Sequence, residues 1–488
     1  MMRGDTMRGS SLTRAGRDAA RAPGADANRW VALALLAVAQ LMLILDVTVV
    51  NVALPDIGVS LRLDRAELPW VMTAYTVCFG GLMLLGGRIA DRYGARRLTL
   101  AGLVAFTGAS LLSGLAPGPG WLIAGRALQG ASAALLSPAA LATVMALFTG
   151  RDRARALGVW SALAGLGAAL GVILGGVLTT EAGWRWIFTV NVPIGVALLI
   201  AVPLVVPARR AAAGTASGAR PGLDIPGGIL VTAGTGAAIY GLINAGYSGW
   251  AASSTLGAFA LAAAAWAALA WAERRAASPL LSVGLLLRRP VAAGAFLMLI
   301  ATGLLVGAFF LGSFSLQHAD GYSALRVGLA YIPVAVATIT GAHTASQALT
   351  RVPARTVAVA GLALAAAGYG TAALWSGPVQ AVAGLAVAAL GIGGCFATAF
   401  TVSLADARAA EGGLRSALVS TFHELGGAAG VAVVSTIAGA ALVAAHPAAD
   451  AFRGAFTAGA ATALAAVVIA AFLVPTVLRA PGEERPAH

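Results

Sequence analysis

Gly87-Arg88-Ile89-Ala90-Asp91-Arg92-Tyr93-Gly94-Ala95-Arg96-Arg97 is a short charged loop between two apolar runs, each long enough to cross a bilayer. Charges crowded between two spans mark a hinge or a gate, and the apolar runs that flank this one recur along the whole chain. Of 488 residues 59% are hydrophobic and 10% charged, and mean hydropathy is +0.86. No soluble fold hides that much apolar surface. Runs of about 20 residues, enough to span ~30 Å of hydrocarbon at ~1.5 Å per residue, predict an all-α integral membrane protein of fourteen transmembrane helices. They fall at approximately 30–53, 69–89, 97–116, 121–147, 156–178, 186–206, 224–246, 253–272, 291–314, 324–346, 355–375, 379–404, 414–443 and 452–475.

The net charge of +13 raises the question of nucleic acid, and the placement of the charge answers it. All 32 basic residues are arginine. With residues 1–29 cytoplasmic, only Arg62, Arg65, Arg185, Arg326 and Arg453 fall outside and Arg126 inside a span; every other arginine falls on the cytoplasmic side. That asymmetry follows the positive-inside rule, so the basic excess sets orientation and does not form a polyanion site. Both termini are then cytoplasmic and the chain is a multi-pass protein of the cell inner (plasma) membrane. Residues 1–28 lack an apolar core and are expected to be a disordered cytoplasmic tail, not a cleaved signal. Cys78 and Cys395 both fall in spans, far apart, and are expected to pack.

The polar segment PARRAAAGTASGARPG divides the chain. The expected organisation is a tail (1–28), a six-helix bundle (29–206), a cytoplasmic linker (207–222), two inserted helices (223–272), a second six-helix bundle (273–478) and a tail (479–488). A weak repeat agrees: setting Pro353-Ala354-Arg355 on Gly94-Ala95-Arg96 also sets Gly361 on Gly102, while Thr350 stands where Asp91 is and Gln347 where Arg88 is. Two like bundles related by a pseudo-two-fold along the membrane normal place a substrate cavity between them.

The loop matches the conserved cytoplasmic loop of the major facilitator superfamily at Gly87, Asp91, Arg92, Gly94, Arg96 and Arg97. The first span ends in Leu45-Asp46-Val47-Thr48-Val49-Val50-Asn51-Val52-Ala53-Leu54-Pro55, and the fourth opens with Gly125-Arg126-Ala127-Leu128-Gln129-Gly130. Gly183-Trp184-Arg185-Trp186-Ile187-Phe188 runs on to Asn191-Val192-Pro193-Ile194-Gly195, and Gly426-Gly427-Ala428-Ala429-Gly430 lies in the thirteenth span. Together with the span count these resemble the fourteen-span drug:proton antiporter branch, the multidrug exporters. The resemblance implies alternating access, proton-coupled efflux and no cofactor. One departure stands out: the fifth span has Gly171-Val172-Ile173-Leu174-Gly175-Gly176, with valine where that branch carries a proline, so this helix should kink less while its glycines allow close packing.

Few polar residues enter the spans. Asp46 lies about 10 Å below the outer end of the first span, and Arg126 at a similar depth in the fourth. A carboxylate there costs about 2.5–3.5 kcal/mol on insertion scales and needs a partner or a cavity. The bland alternative is a permanent ion pair locking two helices; the functional one has Asp46 load and release a proton while Arg126 lowers its pKa in the closed pair. Glu424, near the midplane of the thirteenth span, is a second protonation site or a counter-charge for a cation, set against a buried structural hydrogen bond. Its neighbour His423 is rotated ~100° away and, with Asn51 and Gln129, is assigned to the substrate cavity. His343 is expected to be a satisfied core histidine. Gly87, Asp91, Arg92, Gly94, Arg96 and Arg97 are expected to gate the conformation, with Asp91 pairing with Arg92 or with arginines at 151–155. Gly171, Gly175 and Gly176 are expected to pack helices.

Other classes fare worse. The histidines are scattered, giving neither a metal site nor a nucleophile–base pair, so the chain is not expected to be an enzyme. A chain without lysine has no phosphate loop, which excludes ATP-driven pumping by this subunit. An uptake symporter, or a dedicated metabolite carrier, of the same fold is the realistic alternative. Expected partners are a small-molecule substrate, protons and the bilayer, with no nucleic acid, and the chain is expected to act as a monomer. Loose aromatic and aliphatic lining suits amphipathic or aromatic substrates, and the Ala, Gly and Arg bias suggests a GC-rich genome, as in antibiotic producers.

Overall fold

The computed structural model describes residues 23–148, 150–206, 223–275, 283–374, 377–407, 412–444 and 449–476. The linker at 207–222, the tail at 479–488 and most of the tail at 1–28 lie outside them. The described chain is helical: α1 (Pro23–Leu61), α2 (Trp70–Tyr93), α3 (Ala95–Gly114), α4 (Pro119–Leu147), α5 (Gly150–Glu181), α6 (Trp186–Val205), α7 (Ile225–Ser248), α8 (Ser253–Arg275), α9 (Arg289–Phe314), α10 (Ala324–Ala348), α11 (Ala354–Ala373), α12 (Pro378–Leu404), α13 (Gly412–Val443) and α14 (Arg453–Leu473). Among the described residues 13 helices are long and apolar enough to cross a membrane; the remaining one, α5, contributes the shorter apolar stretch Leu170–Glu181. In hydrocarbon every backbone group must be paired within the chain, which is why each apolar run closes as a helix.

Boundaries follow local chemistry. Gly94, at φ 97°, ends α2 and starts α3 in a conformation that a side chain would strain. The Asp224 carboxylate accepts from the Gly227 N–H at 2.8 Å and caps α7. The largest departure from the sequence reading is α1, expected to stop at residue 53 but continuous to Leu61 with Pro55 inside it. Proline removes one ladder bond and does not force an end where neighbouring helices hold the chain. Beyond α9 the helix widens into a π-turn, Ser315–Ala319.

Glycine sets the close approaches. A Cβ on Gly125 of α4 would lie 3.3 Å from Ser113 Cα of α3, and one on Gly384 of α12 would lie 2.8 Å from Ala372 N of α11. Likewise Gly102 of α3 meets Leu136 of α4, and Gly361 of α11 meets Cys395 of α12. Arg96, at the start of α3, donates to Pro203 O near the end of α6 (3.0 Å), and Arg355, at the start of α11, donates to Val474 O just past the end of α14 (2.9 Å). Each arginine thus ties two helices of its own half and caps a carbonyl end.

Among the described residues, helices α1–α6 meet those from α9 onward along three lines. On one, α2 packs on α13, with Leu84 and Leu85 against Leu418 toward the cytoplasmic end. A second joins the outer ends of α5 and α10, where the Leu325 N–H donates to Thr180 Oγ1 at 3.2 Å. On the third, Gln317 Nε2 of the π-turn donates to Val52 O of α1 at 2.9 Å.

Candidate functional site

Asp46 of α1 sits inside the N-terminal bundle with its side chain 0% exposed. It forms an ion pair with Arg126 Nη1 of α4. Its other oxygen accepts from Gln129 Nε2 (2.9 Å) and from Asn191 Nδ2 of α6 (3.2 Å). Arg126, itself 1% exposed, also donates through Nε to Val71 O of α2 (2.8 Å) and through Nη1 to Gln129 Oε1 (3.0 Å). Its guanidinium carbon lies 4.4 Å from the centre of the Tyr75 ring and 5.7 Å from that of Phe188, distances at which a cation is attracted by the ring face. Gln129 completes the knot by donating to Ser110 Oγ (2.8 Å) and accepting from Ser113 Oγ (3.2 Å), both on α3.

Five helices therefore converge on one carboxylate, with its charge neutralised and its lone pairs used. Such a pair is weak evidence for stability, because desolvating both ions offsets most of their attraction. In this conformation the carboxylate lies wholly within protein, its side chain 0% exposed.

Asn51 and Gln129, expected on the cavity wall, are instead buried in this bundle, at 2% and 0% exposure. Asn51 turns its amide N–H back to Val47 O (3.1 Å), and among the described residues its Oδ1 has no partner. Sequence reasoning missed Tyr75, Ser110, Ser113 and Asn191 as partners. Gln129 was foreseeable as a neighbour of Arg126, one turn along the same helix, whereas nothing in the sequence tied α3 or α6 to Asp46.

Glu424 is the opposite case. It stands partly exposed on α13 where the halves meet, its Cβ only 2.8 Å from where a Cβ on Gly80 of α2 would be. Among the described residues no hydrogen bond or ion pair holds its carboxylate. His423 points elsewhere, its Nδ1 2.9 Å from Thr302 Oγ1 of α9 and its ring 5.6 Å from that of Phe396 of α12. The ~100° offset expected from helix geometry separates the two.

At the cytoplasmic loop Asp91 is exposed, and among the described residues it makes no hydrogen bond or ion pair with Arg92, Arg153 or Arg155; the side chain of Arg151 lies outside the described residues. Nearby, Arg29 of α1 pairs with Asp152 of α5 at 2.7 Å. Gly87 is open to Pro138, Arg97 is exposed, and Arg92 lies 5.7 Å from the Tyr93 ring centre. On α5, a Cβ at Gly171 would collide with Thr48 Oγ1 and one at Gly175 would lie 2.9 Å from Val49 O, both of α1. One at Gly176 would lie 2.7 Å from Leu325 Cα of α10. His343 departs from its expected core role: it is exposed on α10 and bonded to Gln347 (2.9 Å), one turn away, because Gly341 and Ala345 take the buried face. Outside the spans, burial holds the Asp320 carboxyl above its usual range at the end of the π-turn. Among the described residues no cluster of metal ligands occurs.

A family model described as Major Facilitator Superfamily matches residues 36–431. A puromycin resistance protein of Streptomyces alboniger is 37% identical over 430 residues, covering 86% of this chain and 84% of its own. A cephamycin export protein of Amycolatopsis lactamdurans is 36% identical over 418 residues, covering 84% and 85%. Among solved structures, a bacterial homologue of the human lysosomal transporter Spinster, crystallised inward-facing and unoccupied, superposes with a TM-score of 0.65 at 17% identity over 93% of this chain and 99% of that one. At that identity it speaks for the fold alone.

Proposed function

The chain belongs to the Major Facilitator Superfamily, and on that premise we propose that it exports amphipathic or aromatic small molecules, natural-product antibiotics among them, in exchange for protons by alternating access. The observation that carries the direction is that relatives of near-equal length are named for resistance and export. The transporter works as a monomer of the bacterial cell membrane with both termini inside. Fourteen spans arranged six, two and six, with the sixes related by a pseudo-two-fold, fit the matched contacts Gly125·Ser113 with Gly384·Ala372 and the matched caps Arg96 with Arg355.

The coupling site is the Asp46 knot. Asp46 and Val52 ride on the same helix, about 9 Å apart along it, and Val52 is held at the outer junction by Gln317. Parting of the halves at that junction frees the outer end of α1 and separates Asp46 from Arg126; Asp46 then takes a proton from outside. Return to the sealed state, in which Arg126 again sits against Asp46, expels the proton inward. Each proton supplies about 2.3 kcal/mol per 100 mV and ~1.4 kcal/mol per pH unit, enough to sustain a large drug gradient. Glu424, unpaired near the midplane, serves cationic substrates or a second proton. The loop from Gly87 to Arg97 latches the cytoplasmic side without touching substrate.

Flux in inverted vesicles tests this. Adding a substrate antibiotic to vesicles with an acid lumen should draw protons out as drug accumulates. A compound that instead leaves the lumen together with protons identifies an uptake symporter and refutes export.

A further inference from the structure

Resting on that alternating-access reading, we propose that the inserted hairpin α7–α8 is a fixed cover over the α2/α13 seam, so that the halves part, and bilayer-dissolved substrate enters, on the opposite side between α5 and α10. Helix α7 lies in the groove between one helix of each half and reaches backbone contact with both. Toward α2, a Cβ on Gly81 would lie 2.9 Å from Thr232 Cα. Toward α13, a Cβ on Gly246 would lie 2.6 Å from Thr436 Cα. The Thr436 hydroxyl is 2.6 Å from Leu242 O of α7 and 2.7 Å from Ala432 O of its own helix, so its proton is shared between the two. Between these contacts Val77, Ile239, Ile243, Ala428 and Ala432 form one apolar cluster drawn from all three helices.

Helix α8 backs α7 from the lipid side. The Asn244 amide donates to Ser254 Oγ and Thr255 Oγ1, each at 2.8 Å, and the outward residues of α8, such as Leu261 and Trp271, are 63% and 59% exposed. The cover has a chemical purpose. Glu424 abuts Gly80, and the next residue, Gly81, abuts Thr232 of α7. An unpaired carboxylate at that depth would otherwise look through the seam at hydrocarbon, where a charge costs several kcal/mol. Small residues and a shared hydroxyl are how membrane helices hold one another without a hydrophobic drive.

The other seam is built differently. The close approaches of α5 to α10 lie at their outer ends, where Gly176 meets Leu325 and Gly328 meets Val172 O. Toward the cytoplasm α10 exposes Thr340, His343, Thr344 and Gln347, which share one face at helical spacing. Thr340 and Thr344 donate to carbonyls of their own helix and His343 bonds Gln347, so this polar face can border lipid and still offer polar groups to an amphipathic solute, and it marks the entry side.

Disulfide trapping in a Cys78→Ser/Cys395→Ser background tests the cover. Gly246→Cys with Thr436→Cys links α7 to α13; Ile243→Cys with Ala432→Cys does so without burdening a glycine. Thr180→Cys with Leu325→Cys links α5 to α10. Oxidation of either α7–α13 pair should leave puromycin efflux within about twofold of the reduced protein, whereas the α5–α10 link should cost about tenfold or more, reversed by dithiothreitol. Loss of efflux on linking α7 to α13 makes the hairpin a moving gate and overturns the proposal, as does full activity of the linked α5–α10 pair. Saturating puromycin should also slow maleimide labelling of Thr340→Cys and leave Gly236→Cys, on the covered side, unaffected; the reverse pattern refutes the entry side. A parent chain that moves no tested antibiotic would refute the export reading instead, before any link is formed.

Discussion

Helices α3 and α4 of the N-terminal half and α11 and α12 of the C-terminal half meet through the same contacts, yet their cores differ in kind. The spacing that sets Arg355 on Arg96 also sets Leu385 on Arg126, Ala388 on Gln129 and Tyr369 on Ser110. Where the first half buries an ion pair and two amides, the second buries a leucine, an alanine and one tyrosine whose hydroxyl donates to Leu304 O of α9. At these matched positions the second half closes the same packing without charge, its buried Arg415 lying at the start of α13 and paired with Asp406. Buried ion pairs can often be exchanged for apolar side chains with neutral or favourable effect on stability, so the charges of the first half are retained for something other than folding.

Substitutions that make one half resemble the other break or sharpen that comparison. The largest effect is expected for Asp46→Asn, which should reduce proton-driven efflux to background while the protein still inserts. With Arg126 left unpaired, stability should fall by about 3–5 kcal/mol. Asp46→Leu combined with Arg126→Leu, which copies Leu385, should recover most of that stability in thermal unfolding and none of the transport. Recovery of transport by the double variant would mean the pair is only a lock.

Next comes Glu424→Gln, expected to lower efflux of cationic compounds and spare neutral ones; equal loss of both rules out a role confined to cations. Tyr369→Phe should cost about 1 kcal/mol through one lost hydrogen bond with turnover unchanged, and a transport defect there would give the second core a function as well. The smallest effect is expected for the paired caps. Arg96→Gln and Arg355→Gln should each cost no more than about 1 kcal/mol of stability and by similar amounts; a large loss of turnover at Arg96 alone would assign that residue a part in the latch beyond its cap.

The spans were legible because hydrocarbon imposes length and polarity on every one of them. Thus α2 and α7 to α14 begin and end within a few residues of their apolar runs, and α1 overran its run because Pro55 reads as a stop in sequence but is carried by packing. Asp46 and Arg126 were legible as a pair because ionisable groups in spans are rare and lay at matching depth. Their amide and hydroxyl partners were not, since Ser110, Ser113 and Asn191 are ordinary residues until α3 and α6 are placed around α1. His343 was misread because a lone histidine carries no mark of which helix face it occupies. The match of Arg355 to Arg96 was visible in the spacing, though their shared task of tying down the ends of α6 and α14 emerged only from the fold.

Substrate-evoked proton release from purified protein in weakly buffered detergent tests the central claim most directly. Binding of a transported antibiotic should release protons from the wild type, and Asp46→Asn should bind the same compound and release none beyond what Glu424→Gln also removes. Release from Asp46→Asn equal to that of the wild type would contradict the account, leaving the Asp46–Arg126 pair a structural lock.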